Sequence, residues 1–264
     1  MNGITRPFAF RSSDTPVLVS MPHSGLLLTP EVERGLTEQA KKLPDTDWYL
    51  PELYDFLESL GVGCIQANYS RYVIDLNRPV DDTPLYQTKT TGLFPNILFD
   101  SSNVFNEGKQ PEQQQKEHYK THIWQTYHTQ IAQELARLKD QFGYAILFDA
   151  HSITANVPML FDGTLPDFNW GSNEGVSCDM ALINTLENTL DDRYHQVTNG
   201  RFKGGYITRH FGQPEHGIHA IQLELSQATY LDANELKHGV YKIDPHQQPL
   251  IKDQLQRLIT SLLR

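Results

Sequence analysis

The chain alternates between short apolar runs and longer stretches whose apolar residues recur every three to four positions. The runs at Val17–Ser20, Val62–Ala67, Arg71–Asp75, Tyr144–Phe148 and Ile218–Leu225 predict strands. A helical period over Asp47–Leu60 places Leu50, Leu53, Tyr54, Leu57 and Leu60 on one face, with Gly61 as the stop. A long helix is predicted over Glu112–Phe142, carrying Tyr119, Ile123, Trp124, Tyr127, Ile131, Leu135 and Leu138 as its stripe. Ser177–Leu190 and Leu250–Leu263 read as two more helices. Strands alternating with helices predict an α/β fold, a mixed central sheet flanked by helices. "YAILFD" (Tyr144–Asp149) is nearly all apolar, as a strand covered on both faces should be. The Pro-, Thr- and Asn-rich stretch Pro79–Gln110 reads as a long ordered excursion near a site, and Phe161–Gly175 as a second excursion. With no repeat or linker, residues 1–264 are expected to form one catalytic domain.

Composition narrows the functional classes. Lys and Arg number 22 against 32 Asp and Glu, a net charge of −10, which argues against a nucleic-acid surface. It also makes a local basic cluster informative, because such a cluster works against the overall field. No apolar run reaches the roughly 18 residues of a membrane span, and the N-terminus lacks a signal-peptide pattern. Cys64 and Cys178 fit neither a metal spacing nor a disulfide framework, which points to a reducing, cytoplasmic compartment.

Ligands of open α/β sheets bind beyond the carboxyl ends of the strands. There the first run ends in Pro22-His23, "YAILFD" runs into Ala150-His151-Ser152, "RYVID" runs into Leu76-Asn77-Arg78, and the last strand carries Glu224. Two histidines at equivalent strand ends suit a catalytic zinc, which takes three protein ligands and keeps one position open. A carboxylate for the third place is offered by Asp45 or Asp47, although two aspartates before a helix can equally cap it. Glu224 is either a catalytic carboxylate or, with Gln222, part of an outward polar face. Arg201, Lys203, Arg209 and His210 lie on a glycine-bearing segment, an anion clamp or an exposed basic loop.

The motifs "MPHSG", "DTDWYLPELY", "SRYVIDLNRP", "LFDAHS" and "NGRFKGGYITRHFG…HAIQLELSQ" occur in this order. Together they resemble the N-formylglutamate amidohydrolases of histidine degradation, over roughly Pro16 to Tyr230. That family is related to the zinc carboxypeptidases and the aspartoacylases. The resemblance implies a zinc-carboxypeptidase-like fold (phosphorylase/hydrolase-like) around one zinc ion (Zn2+) per chain. It implies His23 and His151 as zinc ligands. Relatives take a glutamate three residues after the first histidine, but Leu26 stands there, so Asp47 is the nearest carboxylate and Asp45 the alternative. Asn77 and Arg78 match a carboxylate-binding pair, Arg71 an arginine that polarises the scissile carbonyl, and Glu224 the glutamate that activates water. The expected partner is a dianionic small molecule, held by Arg78 with Asn77 and by the basic loop of Arg201, Lys203, Arg209 and His210. Another zinc amidohydrolase, or a metal-free protein that binds acidic amino acids, are the rival expectations.

Overall fold

The structure, a computed structural model, describes residues 4–85 and 90–263. Its strands are β1 (Phe8–Arg11), β2 (Val17–Met21), β3 (Gly63–Ala67), β4 (Ala145–Ile153), β5 (Phe168–Gly171), β6 (Gln196–Thr198) and β7 (Ile218–Ser226). They form one seven-stranded sheet in the order β1-β3-β2-β4-β7-β5-β6. The central β3, β2, β4 and β7 run parallel, while β1 and β5 join antiparallel and make the sheet mixed. The helices are α1 (Pro30–Gly35), α2 (Leu50–Leu53), α3 (Gln113–Tyr119), α4 (Gln125–Phe142), α5 (Met180–Thr189), α6 (Tyr206–Phe211), α7 (Ala233–Lys237) and α8 (Gln248–Ser261). No described helix is long and apolar enough to cross a membrane.

Side chains alternate across a strand, so each central strand feeds two cores. Val17, Val19, Ile146, Phe148, Ile221 and Leu223 pack with residues of α2, α5 and α8 on one face. Leu18, Leu147 and Ala220 pack with Tyr127, Ile131 and Leu135 of α4 on the other. On that second face the period-two series turns polar toward the carboxyl ends. Leu18 gives way to Ser20, Leu147 to Asp149 and His151, and Ala220 to Gln222 and Glu224. Register aligns them into rows: Ser20 lies opposite Asp149, Asp149 opposite Gln222, and His151 opposite Glu224. The functional end of the sheet is thus a buried polar strip continuous with an apolar core.

Several expected elements differ from the observed ones. Arg71–Asp75 is a turn segment, not a strand; Tyr72, Val73 and Ile74 are apolar because they are buried, not because they pair. The stretch 47–60 divides into α2 and a 3₁₀ segment, Asp55–Leu60, after Tyr54 leaves helical geometry. The long helix carries a π-turn at Lys120–Trp124 between α3 and α4. Residues 86–89 of the first excursion lie outside the described residues.

Candidate active site

His23 follows β2 in a tight turn, Asp47 follows in a loop, and His151 stands on β4. The Asp47 amide donates to the His23 carbonyl at 3.1 Å, which docks the loop onto the turn. Asp47 Oδ2 then lies 3.1 Å from His151 Nδ1 and 3.9 Å from His23 Nδ1. The two rings face each other at 4.8 Å between centroids. Ligand atoms from the three buried side chains lie within 4.8 Å of one another and could hold a metal ion.

The opposite ring nitrogens are also held. His23 Nε2 lies 2.7 Å from Asp75 Oδ1, and His151 Nε2 lies 3.1 Å from Asp149 Oδ2. A carboxylate behind each imidazole orients it, the Asn77 amide nitrogen also lies 3.0 Å from His151 Nε2, and both Nδ1 atoms are turned toward Asp47. Two imidazoles, each with a carboxylate behind it, and one carboxylate fit a divalent cation with an open coordination position. Burial and the nearby Arg71 lower the His23 pKa, so this ring is neutral as a ligand must be. Burial opposes charge on His151 too, but Asp149 and Asp47 hold it well above the usual range. Metal binding here must therefore displace a proton from His151, and affinity should rise with pH.

Asp75 organises the neighbouring turn. Its Oδ2 accepts from Arg71 Nη2 at 2.6 Å, and its Oδ1 accepts from the Asn77 amide at 2.9 Å. Burial works against its charge, but Arg71 and His23 hold it well below the ordinary carboxylate range. One cavity is lined by His23, Asp47, His151, Glu224, Arg71, Asn77, Arg78 and Arg201 together. Phe99, Ile153, Leu160 and Phe202 form its apolar wall. Glu224 is 7% exposed, because β7 is covered on both faces; the face it shares with Gln222 is interior. Burial pushes its pKa up to about 8, with His151 and Arg71 opposing the rise.

The model of the N-formylglutamate amidohydrolase family matches residues 15–231. The chain belongs to this family. It is 56% identical over 226 residues to an N-formylglutamate deformylase of Pseudomonas aeruginosa, covering 85% of each chain. It is 49% identical over 255 residues to one of Pseudomonas putida, covering 95% of each. A crystal structure of an N-formylglutamate amidohydrolase from Ralstonia eutropha JMP134 superposes with a TM-score of 0.83, at 18% identity and 98% coverage of both chains, a likeness of fold.

Within this amidohydrolase fold, the remaining residues singled out from sequence fall into different places. Asp45 lies outside the three-residue group; its carboxylate accepts the Phe99 amide at 3.2 and 3.3 Å. Neither aspartate caps α2, whose N-cap is Tyr49. Lys203, Arg209 and His210 do not line the cavity. Lys203 pairs with Glu174 at 2.6 Å, and Arg209 Nε donates to the Gly204 carbonyl at 2.8 Å. α6 buries Ile207, Thr208 and Phe211, which leaves His210 on the exposed side, stacked on Tyr206 at 4.9 Å. Sequence reasoning gave Asp75 and Asp149 no role and offered Gln222 only as part of an outward polar face, whereas it is buried beside Glu224. The signal was present: Asp149 precedes His151 by two positions on one strand face, and an aspartate inside an apolar run needs a partner.

Proposed function

We propose that this protein hydrolyses the formyl amide of N-formyl-L-glutamate, giving formate and L-glutamate, as a cytoplasmic step of histidine degradation. One zinc ion per chain would be held by His23, Asp47 and His151. The observation that carries the reading is one cavity, which joins that group and Glu224 to Arg71, Asn77, Arg78 and Arg201.

When bound, zinc supplies Lewis acidity toward a carbonyl oxygen and toward water. The substrate is a dianion without a compensating amine charge, because formylation removes it. Arg78 with Asn77 holds one carboxylate and Arg201 the other, a local positive site in a chain of net charge −10. Arg71 is fixed by Asp75 and faces the carbonyl, where stabilising the developing oxyanion contributes a few kcal/mol (~3). Burial makes Glu224 a stronger base than an exposed glutamate, and positive charge beside it favours its ionised form. Glu224 takes a proton from the attacking water and delivers it to the departing nitrogen. The C–N bond breaks, formate keeps the water's oxygen, and glutamate leaves with its amine.

Purified protein should release formate from N-formyl-L-glutamate, carry stoichiometric zinc, lose activity to a chelator and regain it with added zinc. Absence of formate release overturns the reading. Binding of acidic amino acids without turnover or metal would establish a binding protein instead.

A further inference from the structure

The segment Leu76–Asn77–Arg78 has no strand neighbour to hold its carbonyls. Each is instead held from a helix. Leu76 O lies 2.9 Å from His128 Nε2, and Arg78 O accepts from Trp124 Nε1 at 2.9 Å. Asn77 O accepts from the Tyr206 amide at 3.4 Å, at the start of α6. Trp124 ends the π-turn and His128 follows on α4; their rings lie 3.9 Å apart. His128 is enclosed further by Tyr206 and Phe211, with ring centroids at 5.3 and 5.9 Å.

The histidine at this place is informative. Its Nδ1 is buried without a hydrogen-bond partner among the described residues. A buried, unsatisfied polar atom lowers stability, and a phenylalanine would fill the same aromatic cage without one. What phenylalanine cannot supply is the N–H that reaches Leu76 O. Burial, with a lesser contribution from His210, also lowers the His128 pKa to about 3, so the ring stays neutral while Nε2 donates. Trp124 repeats the pattern, an aromatic body in the core with one donor aimed at a carbonyl.

We infer that His128 and Trp124 are positioning residues for substrate binding, a two-pronged clamp on the backbone that presents Asn77 and Arg78 to the cavity. The inference rests on the proposed reading that Asn77 and Arg78 bind a substrate carboxylate. Neither clamp residue lines the cavity, so both act through the segment they hold. π-turns recur at functional sites, and here the turn ends on the first prong.

Three substitutions test the clamp on the metal-loaded enzyme. His128→Phe keeps the ring and removes the donor; His128→Gln offers an amide donor in its place; Trp124→Phe removes the indole N–H. Expected in both phenylalanine variants are full metal content, a KM for N-formylglutamate raised about tenfold and a kcat within about threefold, the pattern of weakened binding. His128→Gln should recover most of the KM. Hydrogen exchange of the peptide covering 74–80 should quicken in both phenylalanine variants, with or without substrate. If His128→Phe does not fold, Trp124→Phe decides the question through Arg78 O. Unchanged exchange across 74–80, or a fall in kcat with KM unchanged, overturns the clamp. If N-formylglutamate is not the substrate, parent and variants fail alike in turnover, while exchange still reports whether the segment is held.

Discussion

In the proposed reaction Glu224 must be buried enough to be basic and charged enough to accept a proton. Its neighbour Gln222 donates to it from Nε2 at 3.3 Å, while Gln222 Oε1 takes the Gly205 amide at 2.7 Å. Glu224→Gln keeps this shape and removes the proposed base. Metal content should stay at parent level, KM should hold or fall, and kcat should drop by about 10²–10⁴. Metal analysis beside steady-state kinetics checks this; loss of metal would make Glu224 a ligand. Asp45 poses a separate question of pH. Burial pushes its pKa up to about 6 from 3.8, with Arg71 opposing, so the folded protein holds this proton more tightly than the unfolded chain. The associated stability is complete below about pH 3.8 and is lost as pH rises through about 6. Asp45→Asn can still accept the Phe99 amide and carries no charge to bury. The metal-free variant should exceed the parent by about 1–3 kcal/mol near pH 7.5 and match it near pH 4. Urea unfolding midpoints at the two pH values decide it; a difference independent of pH sinks the idea.

At the scale of elements, α6 is set against the Asn77 turn by a glycine. A Cβ on Gly205 would lie 2.2 Å from Asn77 Nδ2, and the same Asn77 side chain accepts the Ile207 amide at 2.8 Å through Oδ1. Gly205→Ala must therefore push Asn77 from its place or lift α6. Either shift should raise KM about 10- to 100-fold, about 1.4–2.8 kcal/mol of binding, while metal stays bound. An unchanged KM would show that Asn77 does not need its observed position. Elements differ in how far their sequence announces them. β4 and β7 were legible from the apolar run at Tyr144–Phe148 and the alternating run at Ile218–Leu225; the polar continuation of β4 through Asp149, His151 and Ser152 was not part of its run. β5 and β6 have four and three residues and offer no period to read. "RYVID" read as a strand because its β-branched and aromatic residues are those that strands also use; only tertiary burial distinguishes the two. His23 and His151 were legible by the strand-end rule, and their grouping with Asp47 needed the loop docking onto the turn. Asp75 was not, because its place behind His23 is a relation between segments far apart in the chain, which no local pattern records; Asp149, two positions before His151 on one strand face, did leave a local signal.

On the scale of the whole molecule, the site is a knot of buried charge placed where three strand ends and two connecting segments meet. His23, Asp47, Arg71, Asp75, Asp149, His151 and Glu224 are all buried, and they come from the ends of β2, β4 and β7 and from the two connecting segments. Such a knot is stable when each charge has a counter-charge and unfavourable when one is missing. Asp47, Asp75, Asp149 and Glu224 share this space with Arg71, His23 and His151, and burial, with Asp47 and Asp149 adding to it, pushes the Glu224 pKa up to about 8. A cation between His23, Asp47 and His151 would also cross-link the segments that carry them. A ligand that binds the folded state alone stabilises it by about 2.7 kcal/mol at a hundred times its dissociation constant. For a chain of this size each kcal/mol moves the midpoint by about 2–4 °C, so chelation should lower Tm by about 5–10 °C. Zinc should restore Tm in proportion to the logarithm of its free concentration. His151 must lose its proton on binding, so the restoring effect should be larger at pH 8 than at about pH 6. Calorimetry on chelated and reloaded protein, with metal content measured on the same samples, reads this directly. A Tm indifferent to verified loss of metal would show that His23, Asp47 and His151 hold no structural cation, and the buried charges would have to be balanced within the protein.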